Sequence, residues 1–162
     1  MEGLKGKVVL LEFWTFDCVN CIRTLPRMSL LHRMYGGDRF VLIGVHTPEF
    51  EFEKDPDNVA SAVKRFRIEY PVAIDNENAT WKLYGNQYWP RHTLIDARGR
   101  VRWEHAGEGD YEEMQEEIRA LLNETGKTGT DRSLRSKSRI RTGDLPHRLI
   151  MSTREPRSMS NQ

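Results

Sequence analysis

Cys18 and Cys21 are the only two cysteines in a chain of 162 residues, and just Val19 and Asn20 separate them. Two intervening residues at the opening turn of a helix is the spacing a reversible dithiol/disulfide needs. The first sulfur lies near helix-terminal N–H groups that stabilise a thiolate, and the second returns one turn later within bonding reach. A secreted disulfide scaffold would spread several cysteines along the chain, so these two are not structural staples. A CxxC is also half of a structural zinc site, which ordinarily needs a second ligand pair. His32, His46, His92, His105 and His147 supply none at HxxxH-type spacing. The spacing therefore favours thiol–disulfide exchange, which two sulfurs carry without any cofactor.

A third group belongs with the sulfurs. Val8–Trp14 (VVLLEFW) is a continuous apolar run broken by one acid, Glu12, and reads as a central strand covered on both faces. A carboxylate there is costly unless it is solvated, paired or protonated. Near the C-terminal end of the strand, six residues before Cys18, Glu12 is placed to lie beneath the dithiol as a functional acid.

The elements that must hold these residues alternate. A helix is predicted from about Val19 to Tyr35, with Ile22, Leu25, Met28, Leu31 and Met34 on its apolar side, interrupted by Pro26 and closed by Gly36-Gly37. Phe40–His46 reads as a second buried strand, followed by an acidic loop to Pro56. Asp57 is expected to cap a short helix burying Val59, Val63 and Phe66. A third strand is predicted over Tyr70–Ile74 and another short helix over Asn76–Tyr84. Arg91–Asp96 and Val101–His105 then form an antiparallel hairpin about Ala97-Arg98-Gly99. Asp110, with Glu113 as capping-box partner, opens a last helix that buries Met114, Ile118, Leu121 and Leu122 and stops at Gly126. The expected fold is an α/β/α sandwich around a mixed sheet of about five strands, the first three parallel.

Composition divides the chain. Residues 1–126 carry 16 Lys/Arg against 21 Asp/Glu, and residues 127–162 carry 9 against 3. The second stretch has too few apolar residues for a core and reads as a disordered basic tail beside one domain. It lacks interleaved aromatics, so no nucleic-acid partner is expected. No run approaches the ~18 apolar residues of a membrane span. MEGLKGK carries no apolar stretch of a secretory signal, so no signal or anchor is expected within this chain.

The order resembles the thioredoxin superfamily over roughly residues 4–126. FWTFDCVNC is similar to its strand-to-helix entry, and Glu12 stands where thioredoxins place a buried aspartate. Pro26 matches the proline of the active-site helix, and Pro90 in YWPRHTLID is similar to the family's cis-proline. The additional helix and strand, roughly Asp57–Ile74, resemble the insertion of the TlpA/ResA branch. PVAIDNENATWKLYG, YWPRHTLID and GEGDYEEM are most similar to the thioredoxin-like domain of DipZ-type membrane electron carriers. The resemblance implies a thiol–disulfide oxidoreductase acting on protein disulfides or dithiols, as a monomer. Its redox partner would be a membrane electron carrier or a system like thioredoxin reductase. It implies Cys18 as nucleophile, Cys21 as resolving thiol and Glu12 as base, with substrate meeting Trp14, Trp89 and Pro90. It also implies an extracytoplasmic or periplasmic setting and, together with the polar CVNC loop, the reducing direction.

Three other readings remain open. Thr15 stands three residues before Cys18, as in the PxxxTxxC motif of peroxiredoxins, but the motif's proline falls on Leu11. A metal-carrying module would recruit a histidine beside the two cysteines. A non-catalytic interaction domain would keep CVNC without using it, against the joint presence of Glu12, Pro26 and Pro90.

Overall fold

In a computed structural model the described residues are 2–127, and the expected basic tail lies outside them from residue 128 onward. A short 3-10 turn (Glu2–Leu4) leads into β1 (Val8–Trp14). There follow α1 (Val19–Tyr35), β2 (Phe40–His46), a second 3-10 turn (Glu51–Lys54), α2 (Pro56–Arg65), β3 (Val72–Ile74), α3 (Ala79–Leu83), β4 (Arg91–Ile95), β5 (Val101–Ala106) and α4 (Tyr111–Lys127). The five strands lie in the order β3-β2-β1-β4-β5. β1, β2 and β3 are parallel, and β4 and β5 run antiparallel to their neighbours. This is a thioredoxin-like α/β fold around a mixed five-stranded sheet.

Every residue of β1 is buried because the strand is central and both its faces are covered. Val8, Leu10 and Trp14 join Cys21, Leu25, Met28 and Leu31 of α1 and Met114, Ile118 and Leu121 of α4 in the larger core. Val9, Leu11 and Phe13 point the other way, to Val45, Ile95 and the rings of Trp81 and Tyr84. Each of these side chains contributes roughly 1.5–3 kcal/mol by leaving water. The two-residue alternation also fixes Glu12 on the α1 side of the sheet.

Several local expectations are corrected. The cap of α2 is Asp55, not Asp57: its carboxylate accepts the Asp57 N–H at 2.9 Å, and Pro56 takes the first helical position, where no N–H is needed. The third strand is only Val72–Ile74, which leaves Tyr70 outside the ladder with its hydroxyl turned inward. The short helix occupies Ala79–Leu83 alone. In α1, Ile22 and Met34 leave the apolar face, Met34 being half exposed, while Cys21 and Thr24 take their place. Asp110 does stand at the cap of α4, its carbonyl accepting the Met114 N–H at 2.9 Å, but with a φ of +49° and its carboxylate turned to His105 Nδ1 at 2.9 Å. α4 runs through Gly126 to Lys127, so the first residue assigned to the tail is helical. No helix among the described residues is long and apolar enough to cross a membrane.

Candidate active site

Cys18 occupies the N-cap of α1. An N-cap side chain normally satisfies an orphan helical N–H with oxygen. Here the acceptor is sulfur: Cys18 Sγ receives the Cys21 N–H at 3.3 Å, and the Cys18 carbonyl receives the Ile22 N–H at 3.0 Å. Cys18 is half-buried, whereas Cys21 is fully buried one turn along, and neither is in a disulfide. Burial pushes the Cys21 thiol far up, and its contact with Cys18 adds to the shift. One sulfur is thus reachable from outside, and the other is held behind it as a reluctant thiol.

Glu12 lies fully buried on the same side of the sheet. Its Oε1 accepts the Thr24 hydroxyl at 2.7 Å and its Oε2 accepts the Tyr70 hydroxyl at 2.8 Å. Thr24 Oγ1 is also 2.8 Å from the Cys21 carbonyl, which ties the acid to the turn that carries the second sulfur. His92 faces Glu12 across the β1–β4 ladder, its Nε2 3.9 Å from Oε1, fully buried and with no protein partner on either ring nitrogen. Gly44 makes this cluster possible. A Cβ there would stand 2.9 Å from Trp14 Nε1 and 3.2 Å from Tyr70 Cε2, in the space the tyrosine ring needs to reach Glu12.

A second buried network holds the loop between β1 and α1. Glu53 is fully buried. It accepts the Thr15 hydroxyl, the Asp17 N–H at 3.3 Å, the Glu49 N–H at 2.7 Å and the Phe50 N–H at 2.9 Å. Thr15 has one hydroxyl proton and gives it to Glu53, so the 3.3 Å contact with His46 Nε2 requires the imidazole to donate. His46 is therefore the Nε2–H tautomer, assigned from the network. Its Nδ1 is buried with no hydrogen-bond partner among the described residues, and burial holds the imidazole at about 4 despite the opposing pull of Glu53.

Trp89–Pro90 is a cis peptide bond. Since Phe13 pairs with Arg91, the antiparallel register brings Pro90 level with Trp14, at the sheet end from which the Cys18 loop departs. Trp89 is part-buried, stacks on Trp81 at 4.2 Å between centroids, and donates from Nε1 to the Thr47 carbonyl at 3.1 Å. Trp14, expected to meet substrate, is instead fully buried with its ring edge-on to His46, because its position in β1 points it into the larger core. Thr15 is fully buried with its hydroxyl committed to Glu53, and Leu11 is packed in the second core. Among the described residues no group of three or more His, Cys, Asp or Glu is placed to hold a metal ion.

The Redoxin family model matches residues 1–122. The chain belongs to that family. Within it the chain stands among TlpA/ResA-like thiol–disulfide oxidoreductases of thioredoxin fold. It is 43% identical over 152 residues to protein DipZ of Mycobacterium bovis, covering 94% of this chain and 21% of DipZ. It is 31% identical to the thiol-disulfide oxidoreductase ResA of Bacillus thuringiensis, covering 75% of this chain and 67% of ResA. Among solved structures, a thiol-disulfide isomerase from Corynebacterium glutamicum superposes with a TM-score of 0.70 at 29% identity, covering 75% of this chain and 84% of that one. The chain spans about a fifth of the length of the DipZ proteins it matches.

The sequence singled out Cys18, Cys21 and Glu12 in this redoxin, and the fold gathers all three on one side of the sheet. It did not single out Thr24, Tyr70, His92, His46 or Glu53. Thr24 was legible, standing three residues after Cys21 on the same helix face. Tyr70 and Glu53 reach their partners across 58 and 38 residues, and no local pattern announces such contacts.

Proposed function

We propose that this domain reduces disulfides of partner proteins through the Cys18/Cys21 pair, and that a membrane electron carrier re-reduces it. Cys18 Sγ, as thiolate, attacks one sulfur of a partner cystine; a mixed disulfide forms and the partner's other sulfur leaves as thiolate. Cys21, after giving up its proton, attacks Cys18 Sγ. The Cys18–Cys21 bond forms, the mixed disulfide breaks, and the partner departs with both sulfurs reduced while the domain is oxidised by two electrons. Because Cys21 is buried and its thiol is shifted up, this second step needs a base, and Glu12, acting through a water, is that base. The peptide around Trp89–Pro90 receives an extended substrate segment by short β-type pairing.

The observation that carries this reading is the pairing of a half-buried N-cap sulfur with a fully buried resolving thiol that feels the charge of the fully buried Glu12. Cys21→Ser should trap partner proteins on Cys18 as mixed disulfides that Cys18→Ser does not form, and trapping by neither variant would refute the assignment. A reduction potential near about −270 mV supports the reducing direction, and one near about −120 mV would reverse it.

A further inference from the structure

Thr24 sits between two acceptors with a single proton to give. Its Oγ1 is 2.7 Å from Glu12 Oε1 and 2.8 Å from the Cys21 carbonyl, and all three residues are fully buried. A carboxylate only accepts, a carbonyl only accepts, and a hydroxyl donates once. While Glu12 is ionised, the single threonine proton therefore cannot serve both contacts. When Glu12 is ionised, Thr24 donates to Oε1 and the Cys21 carbonyl receives nothing from it. When Glu12 is protonated, its own O–H donates to Thr24 Oγ1, and the threonine proton turns to the Cys21 carbonyl. Tyr70 donates to Oε2 in either state.

We propose that Thr24 is a two-position hydrogen-bond adapter, which lets the buried acid take up and release a proton without stranding a polar group. A buried carboxylate that loses a donor is disfavoured in its ionised form, so the adapter keeps Glu12 able to accept the Cys21 proton. Tyr70 is the fixed half of the device, and Gly44 provides its space. Four titratable groups surround the acid: Cys21 from α1, Tyr70 from the segment before β3, His92 from β4 and Tyr111 from the start of α4, which senses the Glu12 charge. None of them is hydrogen-bonded to Oε1, His92 standing 3.9 Å away, and among the described residues Thr24 is the donor to that oxygen. Thr24 is a positioning residue: it acts on Glu12 and touches no substrate. The inference rests on Glu12 being the base for Cys21.

The test follows the second chemical step alone. A mixed disulfide between Cys18 and a chromogenic aromatic thiol is formed at acid pH, and release of the thiol is timed by stopped flow after jumps to a series of higher pH values. Thr24→Val keeps the shape and removes the hydroxyl. It should move the pH–rate midpoint upward and slow release about tenfold below it, while Thr24→Ser stays within about twofold of the parent. Tyr70→Phe should shift the profile in the same direction, and it carries the test if the valine variant does not fold. Profiles of Thr24→Val and Tyr70→Phe that superimpose on the parent, or a Thr24→Ser variant as slow as Thr24→Val, would overturn the adapter. Glu12→Gln separates the two levels. If it removes the pH dependence while the threonine and tyrosine variants change nothing, the adapter fails and the base stands. If Glu12→Gln itself superimposes on the parent, the base reading fails.

Discussion

Lowering the pH from 7 to 5 should destabilise this domain chiefly through His46. The ring is fully buried, commits Nε2–H to Thr15 and has no hydrogen-bond partner at Nδ1 among the described residues, so a second proton would place a charge in a buried site. Burial holds the imidazole at about 4, against 6.5 in an ordinary environment. The sign follows from proton counting. Between those values the unfolded chain binds a proton that the folded chain refuses, so stability rises with pH across the window and is lost as pH falls through it. At 1.36 kcal/mol per pH unit, the whole difference amounts to about 3 kcal/mol, of which about 2 kcal/mol is lost between pH 7 and 5. Chemical denaturation of the parent and of His46→Gln at both pH values isolates this contribution, because glutamine can donate to Thr15 without titrating. The parent should lose about 2 kcal/mol more than the variant on acidification. Equal losses in the two proteins would show that the imidazole protonates freely, and the buried donor chain Nε2–H to Thr15 to Glu53 would then be wrong.

Gly44→Ala should destabilise the domain by about 1–3 kcal/mol, because its Cβ meets Trp14 and Tyr70 inside a packed layer; an unchanged denaturation midpoint would deny that crowding. Glu53→Gln keeps the size but removes the charge on which one hydroxyl and three backbone N–H groups converge. It should cost about 2 kcal/mol and raise hydrogen exchange at Asp17 and Phe50, and protection equal to the parent would release Glu53 from its anchoring role. Asp96 titrates at about 2 instead of 3.8. Burial alone would raise it, but hydrogen bonds from Arg100 and from the Arg98 N–H outweigh that. Its contribution is present at neutral pH and lost as pH falls from about 4 through about 2, so Asp96→Asn should flatten the acid limb of the stability curve in that interval. An acid limb of unchanged slope in the variant would count against the Asp96–Arg100 hinge at the β4–β5 turn.

What the chain declared by itself was everything set over short distances. β1 and β2 were readable because long apolar runs, that of β1 broken only by Glu12, fit a central strand covered on both sides. α1 was readable from its step pattern and from Gly36, and the reactive pair from three-residue spacing at a helix start. The antiparallel hairpin followed from Ala97-Arg98-Gly99. Glu12 drew notice because an acid in such a strand demands a reason. Boundaries shifted where two nearby residues competed for one role, as Asp55 and Asp57 did for the α2 cap, and Pro56 between them settled it by needing no N–H. Gly126 did not end α4, since one glycine costs a helix only about 1 kcal/mol. Only tertiary structure could decide what surrounds the sulfurs and the acid. The β1–β4 register sets His92 opposite Glu12, a three-residue β3 frees Tyr70 to turn inward, and Gly44 clears its path. Glu53 reads in sequence as one acid of a charged loop, yet it is the buried anchor of the segment preceding Cys18. Trp14 was drawn into the core by the same alternation that placed Glu12 on the α1 side of the sheet. Sequence spacing chooses the reacting atoms, because bonding reach within one helical turn is a local property. Tyr70 and His92 around Glu12, and Glu53 behind the Cys18 loop, come from chain-distant segments, because a buried charge is satisfied only by groups that folding brings to it.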